Sequence, residues 1–274
     1  MDKPNIKLIK INHLHQRCKD ILESNDPVYI ENNFKEILEY YELINFKLSG
    51  YEHFLWRGRK CATKDGFDNI QELSYPPANI TKIGRLNEKN SPIYYASLMI
   101  PTVLEEIHAA DGDYIHIVGS KIKSPIHGCI VGEFTNVHRT GKGLMLSSQE
   151  ENIIKNIFSK LPQHALSSFL YIDSFISSVL RDKDASKNNY LHSRIFGKLL
   201  MNSLSSINAI FYPSVALEGS MNVAILPANI DNSLERKVSM VIHIKKRYEY
   251  GIFNQEIVKD AHGENKLGEI KWSQ

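Results

Sequence analysis

The chain has 274 residues, 42% of them hydrophobic, and its formal net charge is +2. This length suits one large or two small domains, and the scattered Lys and Arg residues argue against a dense nucleic-acid-binding face. No apolar run reaches the length of a membrane span, the polar N-terminus lacks a secretory signal, and three separated cysteines favour neither a disulfide framework nor a zinc ribbon. We expect a cytoplasmic protein without membrane or direct nucleic-acid contact.

The first part of the chain, residues 1 to about 48, is predicted to be helical, because Phe34, Ile37 and Tyr41 follow one apolar helical face. From residue 51 onward, apolar and alternating segments predict strands at HFLWRGRKC, SPIYYASLM, GDYIHIVGSKI, INAIFYPSV, MNVAILP and KVSMVIHIKKRYEY. PTVLEEIHAA predicts a helix, and the Pro-containing stretch ELSYPPANITKIGRLN predicts an exposed loop.

Residues 148–182 and 187–204 also predict helices, with a break at Leu161-Pro162. Strands separated by helical insertions favour an α+β fold with a mixed sheet over a doubly wound one. We therefore divide the chain into a helical N-terminal extension, 1–50, and a main domain, 51–274, with a helical insertion at about 148–204.

Two neighbouring glutamates can be separated by their place in the PTVLEEIHAA helix. Thr102 is predicted to be the N-cap and Glu105 to complete a capping box, which gives Glu105 a structural role. Glu106 then takes the fourth helical position, where an acid is locally inconsistent and the helix N-terminus favours the ionised carboxylate. The alternative for Glu106 is a solvated residue on an exposed face.

Other chemical candidates each have an ordinary structural alternative. Tyr95 lies on a predicted strand, where a tyrosine is more often a packed aromatic than a ligand platform. Arg57 and Arg59 share one strand face and could bind an anion or form salt bridges, and Arg85 lies in a loop where arginines are usually solvated. Ser214 lacks a GxSxG setting and suits a turn better than a nucleophile. The chain has no GxGxxG after a strand, and its P-loop match is incomplete. Its histidines are dispersed, so we expect neither a Rossmann site nor a metal site.

Five short motifs, in order and at suitable spacing from about residue 54 to 226, resemble the RES domain family. They are LWRGR, GRLN at 84–87, IYYAS at 93–97, TVLEE at 102–106 and YPSVALEGSMNVAI at 212–225. The chain departs from the family pattern at Val103, at Leu86 and in the ALEGS segment that separates Ser214 from Asn222. The last departure is the one expected to alter a pocket rim.

The resemblance implies a fold like that of the ADP-ribosyltransferases, with a mixed split sheet, and a catalytic domain that spans 51–274. It implies that NAD⁺ is a substrate rather than a redox cofactor, and that its nicotinamide–ribose bond is cleaved with water or phosphate as acceptor. Many members are toxins inhibited by a helix-turn-helix antitoxin. The implied functional residues are Arg57, Arg85, Tyr95, Glu106 and Ser214, with Asn222 as a further substrate-binding residue.

The implied chemistry suits these residue types. Nicotinamide leaves as a neutral molecule, so the reaction needs no general acid. Its transition state resembles an oxocarbenium ion and needs a fixed carboxylate nearby, which is the role expected of Glu106. Tyr95 is expected to hold the pyridinium ring, Arg57 and Arg85 the pyrophosphate, and Ser214 the substrate or Glu106 itself. ADP-ribosyl transfer to a protein and a non-catalytic binding module are the alternatives. The helices at the N-terminus and at 148–204 are expected to hold an antitoxin or a second copy of the chain.

Overall fold

The computed structural model describes residues 9–41, 43–48, 53–203, 207–265 and 267–273. The helices are α1 (Ile11–Glu23), α2 (Pro27–Leu38), α3 (Ile100–Glu106), α4 (Glu133–Thr140), α5 (Ser148–Lys160), α6 (Gln163–Leu180), α7 (Leu191–Ser203) and α8 (Ile230–Ser233). The strands are β1 (Ile44–Leu48), β2 (Leu55–Cys61), β3 (Tyr94–Ser97), β4 (Tyr114–Ile122), β5 (Ile126–Ile130), β6 (Ala209–Pro213), β7 (Met221–Ile225), β8 (Leu234–Arg247), β9 (Phe253–Glu264) and β10 (Ile270–Trp272). The predicted α+β class is confirmed. Of the described helices, none is both long and apolar enough to cross a membrane.

The chain forms two compact units. Unit 1 consists of Met1–Asn45, Ile83–Glu88 and Cys129–Ile207, and unit 2 consists of Phe46–Lys82, Lys89–Gly128 and Asn208–Gln274. The N-terminal helices thus belong to the same unit as α4 to α7. The domain division at residue 50 stays a prediction.

Unit 1 is mainly helical and its helix boundaries follow local capping rules. The Asp26 side chain accepts a hydrogen bond from the Val28 amide at 2.9 Å, so α2 begins with Pro27 in its first turn. A capping box of Ser147 and Glu150 begins α5, and the chain breaks between α5 and α6 as predicted at Leu161-Pro162. In the core, the rings of Phe34 and Phe196 lie 5.5 Å apart, and both side chains are fully buried.

Unit 2 is built on one sheet, in which β6, β7, β3, β2, β4, β8, β9 and β10 are neighbours in that order. The strand pairs whose register is described are all antiparallel. Helix α3 packs on the face of β2 that carries Gly58, where an added Cβ would lie 2.7 Å from Val103. The core beneath α3 therefore requires a residue without a side chain at position 58. That core contains Val103, Leu104, Ala109, Ile115, Ile117, Ile242 and Ile244.

Some sequence predictions of secondary structure were wrong or incomplete. Ile44 to Leu48 form strand β1 rather than the end of a helical segment, because INFKL alternates with a period of two and leaves only Leu48 buried. Strands β5 and β9 and helix α4 were not predicted from the sequence.

Candidate active site

Helix α3 carries both candidate glutamates, and it begins earlier than the sequence predicted. Its N-cap is Met99, without a side-chain cap, because Pro101 is placed best within the first turn. Thr102 is fully buried inside the helix, and its Oγ1 has no hydrogen-bond partner among the described residues. Glu105 binds Arg247, with 2.6 Å between Oε2 and Nη2. The predicted capping box is therefore wrong.

The C-terminal end of α3 fixes the position of Glu106, which is the last helical residue. The amides of His108 and Ala109 donate to the carbonyls of Glu105 and Leu104, at 3.0 and 2.9 Å, which is the hydrogen-bond pattern of a Schellman motif. His108 adopts the left-handed conformation that this motif needs, with φ of 51°. The prediction that Glu106 lies near a helix N-terminus is thus wrong, and the helix dipole disfavours its negative charge.

Two neutral side chains hold the Glu106 carboxylate. Its Oε1 accepts hydrogen bonds from Ser214 Oγ at 2.8 Å and from Asn222 Nδ2 at 2.5 Å. No described residue donates a hydrogen bond to Oε2, and no described Lys or Arg forms an ion pair with the side chain, which is exposed. The site therefore offers an oriented carboxylate with one open oxygen and an uncompensated charge.

Ser214 is fixed by the loop that follows β6. Its amide donates to the Ser220 carbonyl at 2.8 Å, and its Oγ accepts the amides of Ala216 and Leu217 at 3.1 and 3.2 Å. With its lone pairs occupied in this way, the hydroxyl directs its proton toward Glu106. This agrees with the turn role expected from the sequence, and it makes Ser214 an orienting residue for the carboxylate.

Asn222 is oriented in turn by Ser97, which the sequence analysis did not single out. The two residues are directly paired between β3 and β7, and Ser97 Oγ donates to Asn222 Oδ1 at 2.6 Å. This bond turns the amide so that Nδ2 points to Glu106. The sequence signal for Ser97 was the alternation along β3, which places it on the same face as Tyr95. The pairing of β3 with β7 could not be predicted from the sequence.

Tyr95 lies on the same face of β3 as Ser97, two residues away along the strand, and its side chain is half-buried. Tyr94 points to the opposite face and is buried, so Tyr94 is the tyrosine of the pair that belongs to the core. The structure thus places Tyr95 on the sheet face that carries Glu106, Ser214 and Asn222.

Arg57 lies on the other face of the sheet. Its guanidinium is 5.1 Å from the centre of the Tyr94 ring, and Nε, Nη1 and Nη2 donate to the carbonyls of Leu73, Tyr95 and Ser74 at 2.8, 2.7 and 3.0 Å. Desolvation lowers the pKa of Arg57 below its ordinary value. The structure therefore does not bring Arg57 to the Glu106 cluster and gives it a role in fixing the 73–74 segment.

Arg85 belongs to unit 1 and is held by residues of that unit. Its Nη1 donates to the carbonyls of Leu180 and Asp182 at 2.9 and 3.0 Å, and its guanidinium lies 5.3 Å from the centre of the Tyr190 ring. These contacts cap the end of α6. The expected role of Arg85 in binding pyrophosphate stays a prediction.

Within the part of the chain that the structure describes, no group of three or more His, Cys, Asp or Glu side chains is arranged to hold a metal ion. No protein-family model, no curated protein and no solved structure matches the chain.

Proposed function

We propose that the chain cleaves the nicotinamide–ribose bond of NAD⁺, as a RES-type glycohydrolase or phosphorylase, with Glu106 as the catalytic carboxylate. One observation carries the proposal: Glu106 is held through a single oxygen by Ser214 and Asn222, while its other oxygen accepts no hydrogen bond from the described residues. The expected substrate, NAD⁺, follows from the resemblance of the five sequence motifs to the RES family. The ADP-ribosyltransferase-like fold remains part of the proposal.

The uncompensated charge of Glu106 suits the transition state of this reaction. As the bond between the anomeric carbon and the nicotinamide nitrogen breaks, positive charge develops on the ribose ring. A carboxylate already fixed in place stabilises that charge without reorganisation. Glu105 cannot serve equally well, because Arg247 already neutralises it.

The leaving group explains why no acid partner is needed. The pyridinium nitrogen takes the electrons of the broken bond and nicotinamide departs neutral. A water oxygen then bonds to the anomeric carbon and releases one proton, or a phosphate oxygen bonds there instead. The Tyr95 ring, on the same sheet face as the cluster, is proposed to stack on the pyridinium by cation–π attraction, worth on the order of 1 kcal/mol.

The same site is compatible with two alternative functions. ADP-ribosyl transfer to a protein uses the same carboxylate with a different acceptor, and a non-catalytic module would keep the pocket without turnover. If the chain is a RES toxin, its expected partner is a helix-turn-helix antitoxin, and its production in a bacterium should deplete NAD⁺.

The test is to incubate the purified chain with NAD⁺, with and without phosphate, and to identify products by mass. We expect free nicotinamide together with ADP-ribose, or ADP-ribose-1″-phosphate when phosphate is the acceptor. Nicotinamide release with a mass increase of an added protein, in place of free ADP-ribose or ADP-ribose-1″-phosphate, would indicate ADP-ribosylation. Absence of nicotinamide release in every condition would overturn the proposal.

A further inference from the structure

Unit 2 contains an open groove of about 950 Å³ beside the Glu106 cluster. We call it the hairpin groove, and it is lined by Glu105, by residues 216–218 and by residues 247–251. Residues 216–218 belong to the ALEGS segment, which is where the sequence departs from the RES pattern. The groove is therefore a feature of this chain rather than of the motifs that it shares with the family.

The tip of the β8–β9 hairpin presents aromatic rings to solvent along this groove. Tyr248 is 52% exposed and Tyr250 is 86% exposed, far more than a packing role would require. Tyr250 and Gly251 both have positive φ, 62° and 74°, and the Tyr248 amide closes the turn on the Ile252 carbonyl at 2.8 Å. The turn thus holds the Tyr250 ring outward in a conformation that bulky residues rarely adopt.

The two walls of the groove meet at Gly251. A Cβ added to Gly251 would lie 2.6 Å from Leu217 Cδ1, so any other residue there would displace the Leu217 side chain and would also have to adopt a positive φ of 74°. Leu217 contributes apolar surface between the tyrosines and the loop.

The charge of the groove is negative. Its lining contains Glu105, Glu218, Glu249 and one cation, Arg247, which leaves a net charge of −2. Arg247 is already paired with Glu105, whereas Glu218 and Glu249 form no ion pair with any residue that the structure describes. An anion such as phosphate is therefore repelled, and a cation finds two available carboxylates beside exposed rings.

We propose that the hairpin groove binds a basic segment of another protein. Lys and Arg side chains combine an apolar stem, which can lie along Leu217, with a charged head that suits both the Tyr faces and the free carboxylates. The volume exceeds what one such side chain fills, so an extended segment with several side chains is the fitting occupant. This proposal concerns binding alone and does not depend on NAD⁺ cleavage.

Isothermal titration with a short capped peptide of Arg, Lys and Gly tests the proposal in the absence of NAD⁺. The comparison peptide has Gln in place of each basic residue, and inorganic phosphate is titrated separately. We expect the basic peptide alone to bind, and to bind more weakly as salt rises from about 0.05 M to about 0.3 M.

Variants locate the binding. Glu218→Gln with Glu249→Gln should raise the dissociation constant about tenfold or more, and Tyr250→Asn about threefold to tenfold. Asn tolerates the left-handed conformation, so that variant keeps the turn. Glu72→Gln, which removes one exposed carboxylate outside the groove, is the control for a general loss of surface charge and should leave affinity unchanged. No binding of the basic peptide, or equal losses in Glu72→Gln and the groove variants, would overturn the proposal.

Discussion

Asp173 of unit 1 and Glu106 of unit 2 are carboxylates held in opposite ways. In unit 1, Asp173 is fully buried; its Oδ1 accepts Tyr41 Oη at 2.5 Å and the Gly132 amide at 3.2 Å, while Oδ2 accepts the Thr135 amide at 2.8 Å. In unit 2, Glu106 is exposed, and both of its hydrogen-bond partners among the described residues donate to Oε1.

Glu133, also in unit 1, repeats the buried pattern. Its Oε1 accepts Asn136 Nδ2 at 3.1 Å, and its Oε2 accepts the amides of Leu144 and Met145 at 2.8 and 3.3 Å. Burial raises the pKa of Glu133 above its ordinary value. A carboxylate whose oxygens are both occupied organises the chain around it, whereas one held by a single oxygen keeps capacity for a ligand.

The largest expected effect on stability is in unit 1. Asp173→Asn replaces one acceptor oxygen by an NH₂ group that faces a buried donor, which should lower the free energy of unfolding by about 3–4 kcal/mol. Glu106→Gln, the matched amide substitution in unit 2, should change it by less than about 1 kcal/mol, because the exposed side chain can turn its oxygen to the same donors. Urea denaturation of both variants makes the comparison, and similar losses would contradict it.

A buried base in unit 2 should make stability depend on pH. His116 Nδ1 accepts the Phe67 amide at 3.2 Å, its Nε2 lies 2.9 Å from Ser239 Oγ, and desolvation, assisted by the charge of Lys259, lowers the pKa of His116 to about 4. The pKa of His116 is lower in the folded state than in the unfolded state, so the neutral form of His116 stabilises the fold. This contribution, about 3 kcal/mol in total, is fully present above about pH 6.5 and is lost as pH falls through about 4.

The measurement is urea denaturation between these pH values, with His116→Gln as the control. The variant should lose this part of the pH dependence, because Gln does not titrate. An unchanged slope would show that other groups are responsible.

Ser214 should matter for turnover more than for folding. Ser214→Ala removes a donor to the Glu106 carboxylate and should lower kcat about tenfold, or about 1.4 kcal/mol, with a smaller change in KM. Ser220→Ala is the loop control, because that hydroxyl donates to the Leu217 carbonyl and not to Glu106. Equal loss of activity in the two variants would indicate a general effect on the loop.

The smallest expected effect concerns the turn that ends α3. His108→Gly should raise the free energy of unfolding by about 0.5–1 kcal/mol, since glycine adopts the left-handed conformation of the Schellman motif without steric cost. Thermal unfolding gives the value, and His108→Val should shift it the other way. A loss on changing His108 to Gly would mean that its side chain contributes contacts beyond the turn.

Local patterns predicted much of the fold but only part of the site. Alternation identified β2, β3 and β4, and the Leu161-Pro162 pair marked the break between α5 and α6. At α3, Thr102 and Glu105 matched a capping box, but Pro101 determined where the helix begins. The helix-position argument for Glu106 thus depended on a position that the structure does not have, whereas the motif resemblance selected Glu106 independently of that position.

Contacts distant in sequence account for what was missed. Ser97 reaches Asn222 only through the register of β3 and β7, and Glu105 finds Arg247 at the far end of β8. Local periodicity does not specify such pairings, because register depends on the whole sheet.

The most direct test of the account is NAD⁺ cleavage by Glu106→Gln beside Glu105→Gln, followed as nicotinamide release. Glu106→Gln is expected to lose activity by about a thousandfold or more, about 4 kcal/mol in barrier, while Glu105→Gln stays within about threefold of the unaltered chain. Turnover of Glu106→Gln within about threefold of the unaltered chain, or loss of activity in Glu105→Gln alone, would contradict the assignment of the carboxylate.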